Sequence, residues 1–352
     1  MFVICSFFKT YMKTKNIIGV LLAISVGLSV CAQENTTPAV PFLNIPIDAR
    51  AAGMGDTGVA TSSDVNAARW NPAKLVWLGN SAEFGIAYTP YLANIADDVS
   101  LLGANYARRI NDESALAIGL TYFGLGEVEF RQTIDEPAQI VKPNELAIDA
   151  AYGLQLNDQL SVGAGLRFIS SNLKLTEAVQ DARAATALAV DVGFYYRSDL
   201  NIREGADSRW RAGVSLSNFG TKISYDLDGV EQYLPSTLRF GLGHDFIFDF
   251  DSTLSVTLEA NTLVVPVDNK ALGFALGSEY NFRDDLFLRV GYYHDTTEIT
   301  NRKYATVGAG ARKDNLKIDL SYLFSTSTVQ NPFENALRIA LSFEFGDRYY
   351  NF

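Results

Sequence analysis

Along most of the chain, apolar and polar residues alternate one for one. Phe84, Ile86 and Tyr88 interleave with Glu83, Gly85, Ala87 and Thr89, and Leu116, Ile118, Leu120 and Tyr122 with Ala117, Gly119 and Thr121. The pattern is sharpest near the C-terminus. There Leu316, Ile318, Leu320, Tyr322 and Phe324 oppose Lys317, Asp319 and Ser321, and Leu337, Ile339, Leu341, Phe343 and Phe345 oppose Arg338, Ser342 and Glu344. A period of two is that of a strand with unlike faces, and about fourteen such runs can be traced. Most last about ten residues, where globular strands centre on about 5–6 and a tilted membrane-spanning strand needs about 9–11.

The connections separate into two sets. Short ones fall at Asn111–Asp112, Asn157–Asp158, Asp249–Ser252, Arg283–Asp285 and Lys313–Asn315; long ones at Leu125–Asn144, Ser171–Arg183, Ser198–Asp207, Gly220–Ser236 and Ser325–Glu334. Short turns at one end and long loops at the other mark an outer-membrane barrel, and an even strand number predicts both termini on the short-turn, periplasmic side. Tyr88, Tyr91, Tyr122, Phe123, Phe194, Tyr196, Tyr292 and Tyr293 suit interfacial aromatic girdles, and Tyr350 and Phe352 an aromatic C-terminus. The predicted fold class is therefore all-β, a transmembrane antiparallel β-barrel of about 14 strands over residues 80–352.

The polar face of these strands mixes signs: Asp149, Arg167, Asp191, Arg209, Arg211, Arg239, Asp245, Glu259, Glu279, Arg289, Arg312, Asp319 and Arg338. Such a face cannot meet lipid, and its opposite charges can pair across strands in a filled lumen. Glycine pairs on the same face, Gly163 and Gly165, Gly241 and Gly243, Gly308 and Gly310, leave room for an object inside or relieve strand curvature.

One stretch breaks the alternation. In Asp48–Leu78, the residues Asp48, Arg50, Gly53, Gly55, Asp56 and Gly58, and then Arg69, Trp70, Asn71 and Pro72, fit neither helix nor strand. An irregular or short-helical hatch in the lumen, at its periplasmic side, is expected over residues 33–79, led by an extended segment containing Pro38 and Pro41.

Lys9, Lys13 and Lys15 followed by the apolar run Ile17–Val30 and Val30-Cys31-Ala32 read as a signal peptide over 1–32, with Met1 or Met12 as the start. The bulk of Val30 disfavours lipidation of Cys31. Removing three lysines and no acids takes the net charge from −11 to −14, which repels nucleic acid. Both cysteines, Cys5 and Cys31, leave with that segment, so disulfide and thiol chemistry are excluded.

No catalytic or cofactor site is expected. Gly53, Gly55 and Gly58 spell G-x-G-x-x-G without the strand and helix that a dinucleotide site needs. Asp226, Asp228, Gly229 and Glu231 lack calcium-loop spacing, and His244 and His294 have no metal-ligand partners. With no nucleophile-and-base set, the chain reads as a non-enzyme. The loop residues Tyr225, Leu227, Tyr233, Leu234 and Phe333 suit either contact with a partner or mutual packing over the barrel mouth, with equal weight.

DARAAGMGDTGVATSSDVNAARWNPAKL, followed by FGIAYTPYLANIADDVSLLGANY, resembles the PorV/PorQ family of the type IX secretion system, in particular its PorV branch. Asn71, Pro72 and Ala73 after a glycine-rich segment also resemble the broader FadL-type barrels. The resemblance implies a multi-pass protein of the cell outer membrane that acts as an adaptor. Its implied partners are outer-membrane lipid, the large translocon barrel, the C-terminal signal domains of cargo, and an attachment complex with a sortase-like peptidase. The rival expectation is a FadL-like channel for hydrophobic small molecules; a soluble periplasmic β-protein is the third.

Overall fold

The computed structural model describes residues 38–92, 96, 98–131, 135, 137–173, 184–202, 205–225, 229, 231–249, 251–266, 272–296, 302–327, 334 and 336–348. The signal-peptide assignment, Leu227, Phe333, Tyr350 and Phe352 lie outside the described residues. The strands are β1 (Asn80–Pro90), β2 (Val99–Arg109), β3 (Ser114–Leu125), β4 (Val128–Phe130), β5 (Gln139–Val141), β6 (Asn144–Gln155), β7 (Leu160–Asn172), β8 (Ala185–Arg197), β9 (Asp207–Gly220), β10 (Ser236–Asp249), β11 (Ser252–Val265), β12 (Leu272–Phe282), β13 (Leu286–Asp295), β14 (Lys303–Lys313), β15 (Leu316–Ser325) and β16 (Leu337–Arg348).

Fourteen of these close into one antiparallel barrel in which β1 pairs with both β2 and β16; β4 and β5 form a separate two-stranded ribbon between β3 and β6. Closure leaves no strand edge, as a wall in hydrocarbon requires. Pairing register sends the apolar series outward. Leu166, Leu188, Leu242, Leu288 and Val290 are exposed on the wall, while Arg167, Glu259, Arg289 and Asp319 are buried within.

Four sequence expectations need correction. Phe123 and Tyr293 are buried and face the lumen, because each has the opposite strand parity to its exposed neighbour Tyr122 or Tyr292. The connection after β8, predicted among the long loops, runs between Arg197 and Asp207 at the short-turn end, where Asn201 bridges to Ser208. Pro41–Asn44 forms a 3-10 turn instead of an extended segment, entered through Val40 at φ 47°. The hatch also extends well beyond the short-turn side. The Ala39 N–H donates to the Tyr233 carbonyl at 3.0 Å, in the loop between β9 and β10, and Phe42 stacks on Phe123 with ring centroids 6.1 Å apart. The described chain therefore starts at the long-loop mouth, runs down the lumen and joins β1 at the opposite end.

Short elements carry that descent: a helix at Ala49–Gly53, another at Ala67–Trp70 and a 3-10 turn at Pro72–Trp77. Their backbones press on glycines of the wall. A Cβ on Gly241 would lie 2.5 Å from Val59 Cγ1 and 2.9 Å from Ala60 Cβ, and one on Gly163 would run into the backbone of Pro72 and Ala73. Gly310 instead makes room for a side chain of the wall itself, Asp319, while a Cβ on Gly165 would meet Asp191 only at ordinary contact distance.

Gly163→Val should lower the fraction of heat-modifiable, folded barrel on semi-native gels, since overpacking against backbone costs about 1–3 kcal/mol or more. Ala164→Val, on the outward face one residue along, should leave that fraction unchanged.

Candidate functional site

The nine hatch residues singled out in the sequence form one connected body. Asp48 caps the start of the Ala49–Gly53 helix: its Oδ1 accepts from the Ala51 N–H at 2.6 Å and its Oδ2 from Trp70 Nε1 at 2.9 Å, joining two segments 22 residues apart. Arg50 forks onto Glu279 of β12, Nε to Oε2 at 3.0 Å and Nη2 to Oε1 at 2.7 Å. Its Nη1 donates to Asp64 at 2.8 Å. Gly55 takes φ +68° and passes so close to β13 that a Cβ would stand 2.7 Å from the Tyr292 nitrogen. Gly53 lies against Gly308, Asp56 accepts a short hydrogen bond from the Tyr304 hydroxyl, and the Trp70 ring occupies the space a side chain on Gly58 would need.

Asn71 and Pro72 form a corner. Asn71 Oδ1 accepts from the Ala73 N–H at 3.1 Å, and its Nδ2 donates to the carbonyl oxygens of Val59 at 3.3 Å and Phe194 at 2.9 Å. The corner thus fastens hatch to hatch and hatch to β8 with one side chain.

The wall charges pair as the mixed signs suggest. Arg167 bonds Asp149 and lies 3.0 Å from Asp191; Arg211 meets Asp245 at 2.5 Å; Arg289 reaches Glu279 at 2.6 Å and Asp319 at 2.7 Å. With Arg50 added, Asp64, Arg50, Glu279, Arg289 and Asp319 alternate in sign through the lumen. Three residues outside the nine of the hatch motif matter as much, Glu259 of the charged polar face, Arg69 and Lys74. Glu259 Oε2 accepts from the N–H groups of Gly58 at 2.8 Å and Val59 at 3.0 Å. Arg69 donates to the carbonyls of Leu43 and Ile45 at 2.8 and 3.0 Å, satisfying the end of the first 3-10 turn. Lys74 is 1% exposed, donates to the Gly58 carbonyl at 2.7 Å, and its ammonium is pushed down to about 8 by burial. Strand alternation places Glu259 on the lumen face, as expected, but nothing in the sequence pairs Arg69 or Lys74 with a carbonyl.

Little room remains. A polar cavity of about 90 Å³ lies under the long-loop mouth, lined by Asn44, Asp56, Trp70, Arg239, Arg302 and Tyr304 among others. Another of about 240 Å³ lies at the short-turn end beside Arg50, Asp64, Glu83 and Glu344, and the two share no lining residue. The apolar groove of about 550 Å³ is on the outer wall, along Leu286, Leu288, Ala309, Ala311, Ile318 and Leu320. Among the described residues no cluster of three or more metal-ligating side chains occurs.

Of the loop residues, Leu234 is 2% exposed and packs with Ile223 into the cluster around Val40 and Phe42, so it is not free to meet a partner. Tyr225 packs partly against the same cluster, with its hydroxyl 3.0 Å from Ser171 Oγ. Tyr233 is 37% exposed, and Lys222 Nζ sits 4.7 Å from the centre of its ring. Of the two arrangements open to the loop, packing over the mouth is seen on its inner side, while the Tyr233 ring stays partly exposed.

The family model for the type IX secretion system protein PorV matches residues 29–270. No curated protein matches the chain. Among solved structures, the toluene transporter TodX of Pseudomonas putida superposes with a TM-score of 0.52 at 14% identity, over 85% of this chain and 98% of its own. The monoaromatic hydrocarbon channel CymD gives 0.51 at 13% identity, over 86% and 98%, and the toluene transporter TbuX of Ralstonia pickettii 0.51 at 13%, over 84% and 97%. At such identities the likeness is one of fold.

Arg50→Met should lower the denaturant midpoint of the detergent-solubilised barrel by the equivalent of about 3–5 kcal/mol, because it strands buried carboxylates. Arg283→Met removes a rim pair with Asp251 whose side chains are 60% and 53% exposed; there the change should stay below about 1 kcal/mol. Equal midpoints for the two variants would show that the hatch pin carries no special weight.

Proposed function

Because the chain belongs to the PorV family of type IX secretion system proteins, we propose that it is an outer-membrane adaptor. In this reading it receives exported proteins by their C-terminal signal domains from the large translocon barrel and passes them to the surface attachment complex. The observation that carries the reading is the filled lumen. Hatch and wall meet through buried ion pairs, backbone hydrogen bonds and glycine contacts around the barrel, and the spaces left on either side are polar and separate. A cavity of about 90 Å³ holds a handful of waters; binding pockets for small ligands run to about 300–1,000 Å³. Useful surface then lies outside the lumen, on the wall in the lipid and on the long loops, which in this reading face the cell exterior.

The second reading is passage of a hydrophobic small molecule, as in the toluene transporters and the monoaromatic hydrocarbon channel that share the fold. It needs an apolar route, whereas the hatch here sits among Arg50, Asp56, Glu259, Glu279 and Arg239.

Purification in mild detergent with mass spectrometry of partners should recover a very large outer-membrane barrel and secreted proteins that share a C-terminal domain. A lone barrel carrying an apolar ligand would instead support the channel. In planar bilayers the intact protein should show no stepwise conductance, and deletion of residues 48–78 should either open the lumen or prevent assembly. A tight, assembled barrel after that deletion would remove the basis of the closed-lumen argument.

A further inference from the structure

We propose that the groove on the outer wall over β14 seats one phospholipid of the leaflet at the short-turn end, with an acyl chain against Ala309 and Ala311 and the headgroup at the turns below. The inference concerns the wall alone and holds whether the barrel is an adaptor or a channel. Strand register builds the groove. On the outward face, Ala309 pairs with Leu288 of β13 and Leu320 of β15, and Ala311 pairs with Leu286 and Ile318. Tyr280 and Phe282 of β12 stand behind the two β13 leucines. Two rows of large side chains thus flank a floor of two alanines, and the space between them measures about 550 Å³. That is the size of a small-ligand pocket, about 300–1,000 Å³.

The width decides what fits. β13 and β15 lie two strand spacings apart, about 9–10 Å, and the leucine and isoleucine side chains narrow the slot further. A helix with its side chains is about 10–12 Å across, too wide to reach the alanine floor. A single hydrocarbon chain reaches it and is touched from three sides. In the bilayer core there is no hydrophobic gain from leaving lipid for protein, so close van der Waals contact is what sets one place on the wall apart from another.

The foot of the groove carries charge. Lys313 ends β14 in the same outward column as Ala309 and Ala311, is exposed, and makes no ion pair with any described residue. Arg283, in the turn before β13, holds its guanidinium 5.1 Å from the centre of the Phe282 ring and its Nε 3.4 Å from Asp251. Asp285 and Asp314 lie in the same two turns. A lysine at the end of a lipid-facing column lays its stem along apolar surface and its ammonium among headgroups. A rim with both signs suits a headgroup with both, a phosphate for Lys313 and Arg283 and an ammonium for the carboxylates, as phosphatidylethanolamine has.

The test is native mass spectrometry of the full-length exported protein, extracted in mild detergent, stripped of loosely held lipid and titrated with phosphatidylethanolamine. The unsubstituted barrel should keep one lipid. Ala309→Leu, which fills the floor from outside and leaves the hatch untouched, should weaken that binding about tenfold, and Lys313→Glu by a similar factor, each with heat-modifiability unchanged. Ala164→Leu, on the outward face of β7, should bind as the unsubstituted protein does, and phosphatidylglycerol, which lacks the ammonium, should bind more weakly. No retained lipid, or equal weakening by Ala164→Leu and Ala309→Leu, overturns the inference. So does a membrane protein that co-purifies in place of lipid and is lost with Ala309→Leu, which would give the groove to a protein. Phosphatidylglycerol bound as tightly as phosphatidylethanolamine would overturn the headgroup assignment.

Discussion

The structure depends on how charge is buried inside a wall that faces lipid. An arginine in the lumen, cut off from bulk water by a hatch, survives only if carboxylates meet it in good geometry. Arg50 shows the solution. It comes from the hatch, forks onto Glu279 of the wall and reaches back to Asp64 of the hatch, while Glu279 is shared with Arg289 and Arg289 with Asp319. Removing any member leaves its neighbours charged, buried and short of a partner, so hatch and barrel are bound into one electrostatic unit.

Close approach makes this possible. Hydrogen bonds and ion pairs at 2.7–3.0 Å between hatch and wall need the two backbones almost in contact, and wall glycines at Gly163, Gly241 and Gly308 allow it. The outward positions on the same strands are free of that demand and carry Leu166, Leu242 and Val307 for lipid. One strand thus meets two solvents, hydrocarbon outside and a polar protein core inside, by alternating residues that suit each.

With the hatch filling the lumen, the exposed surfaces of the barrel are its mouth and its outer wall. At the mouth, the apolar start of the hatch and the inner side of the loop between β9 and β10 bury one another, so the plug and the most elaborate outward feature are mechanically the same piece. The fold itself is shared with hydrocarbon channels.

The sequence by itself determined the strand class, a strand number of about fourteen, the apolar face of the most regular strands, the presence of an inserted hatch and the family, because these follow from a period of two, from run length and from a local motif. It also pointed to opposite charges paired in the lumen, since unpaired ones could not be buried there. It did not determine which charges pair, that Arg69 and Lys74 serve carbonyls, that Phe123 and Tyr293 face inward, or that Leu234 is buried. Nor did it show that the hatch begins at the long-loop mouth and runs the height of the barrel. Those depend on contacts such as Arg50 with Glu279, 229 residues apart, and Ala39 with Tyr233. Only closure of the barrel brings such residues together; alternation records which way a side chain points, and carries no information about what it meets there.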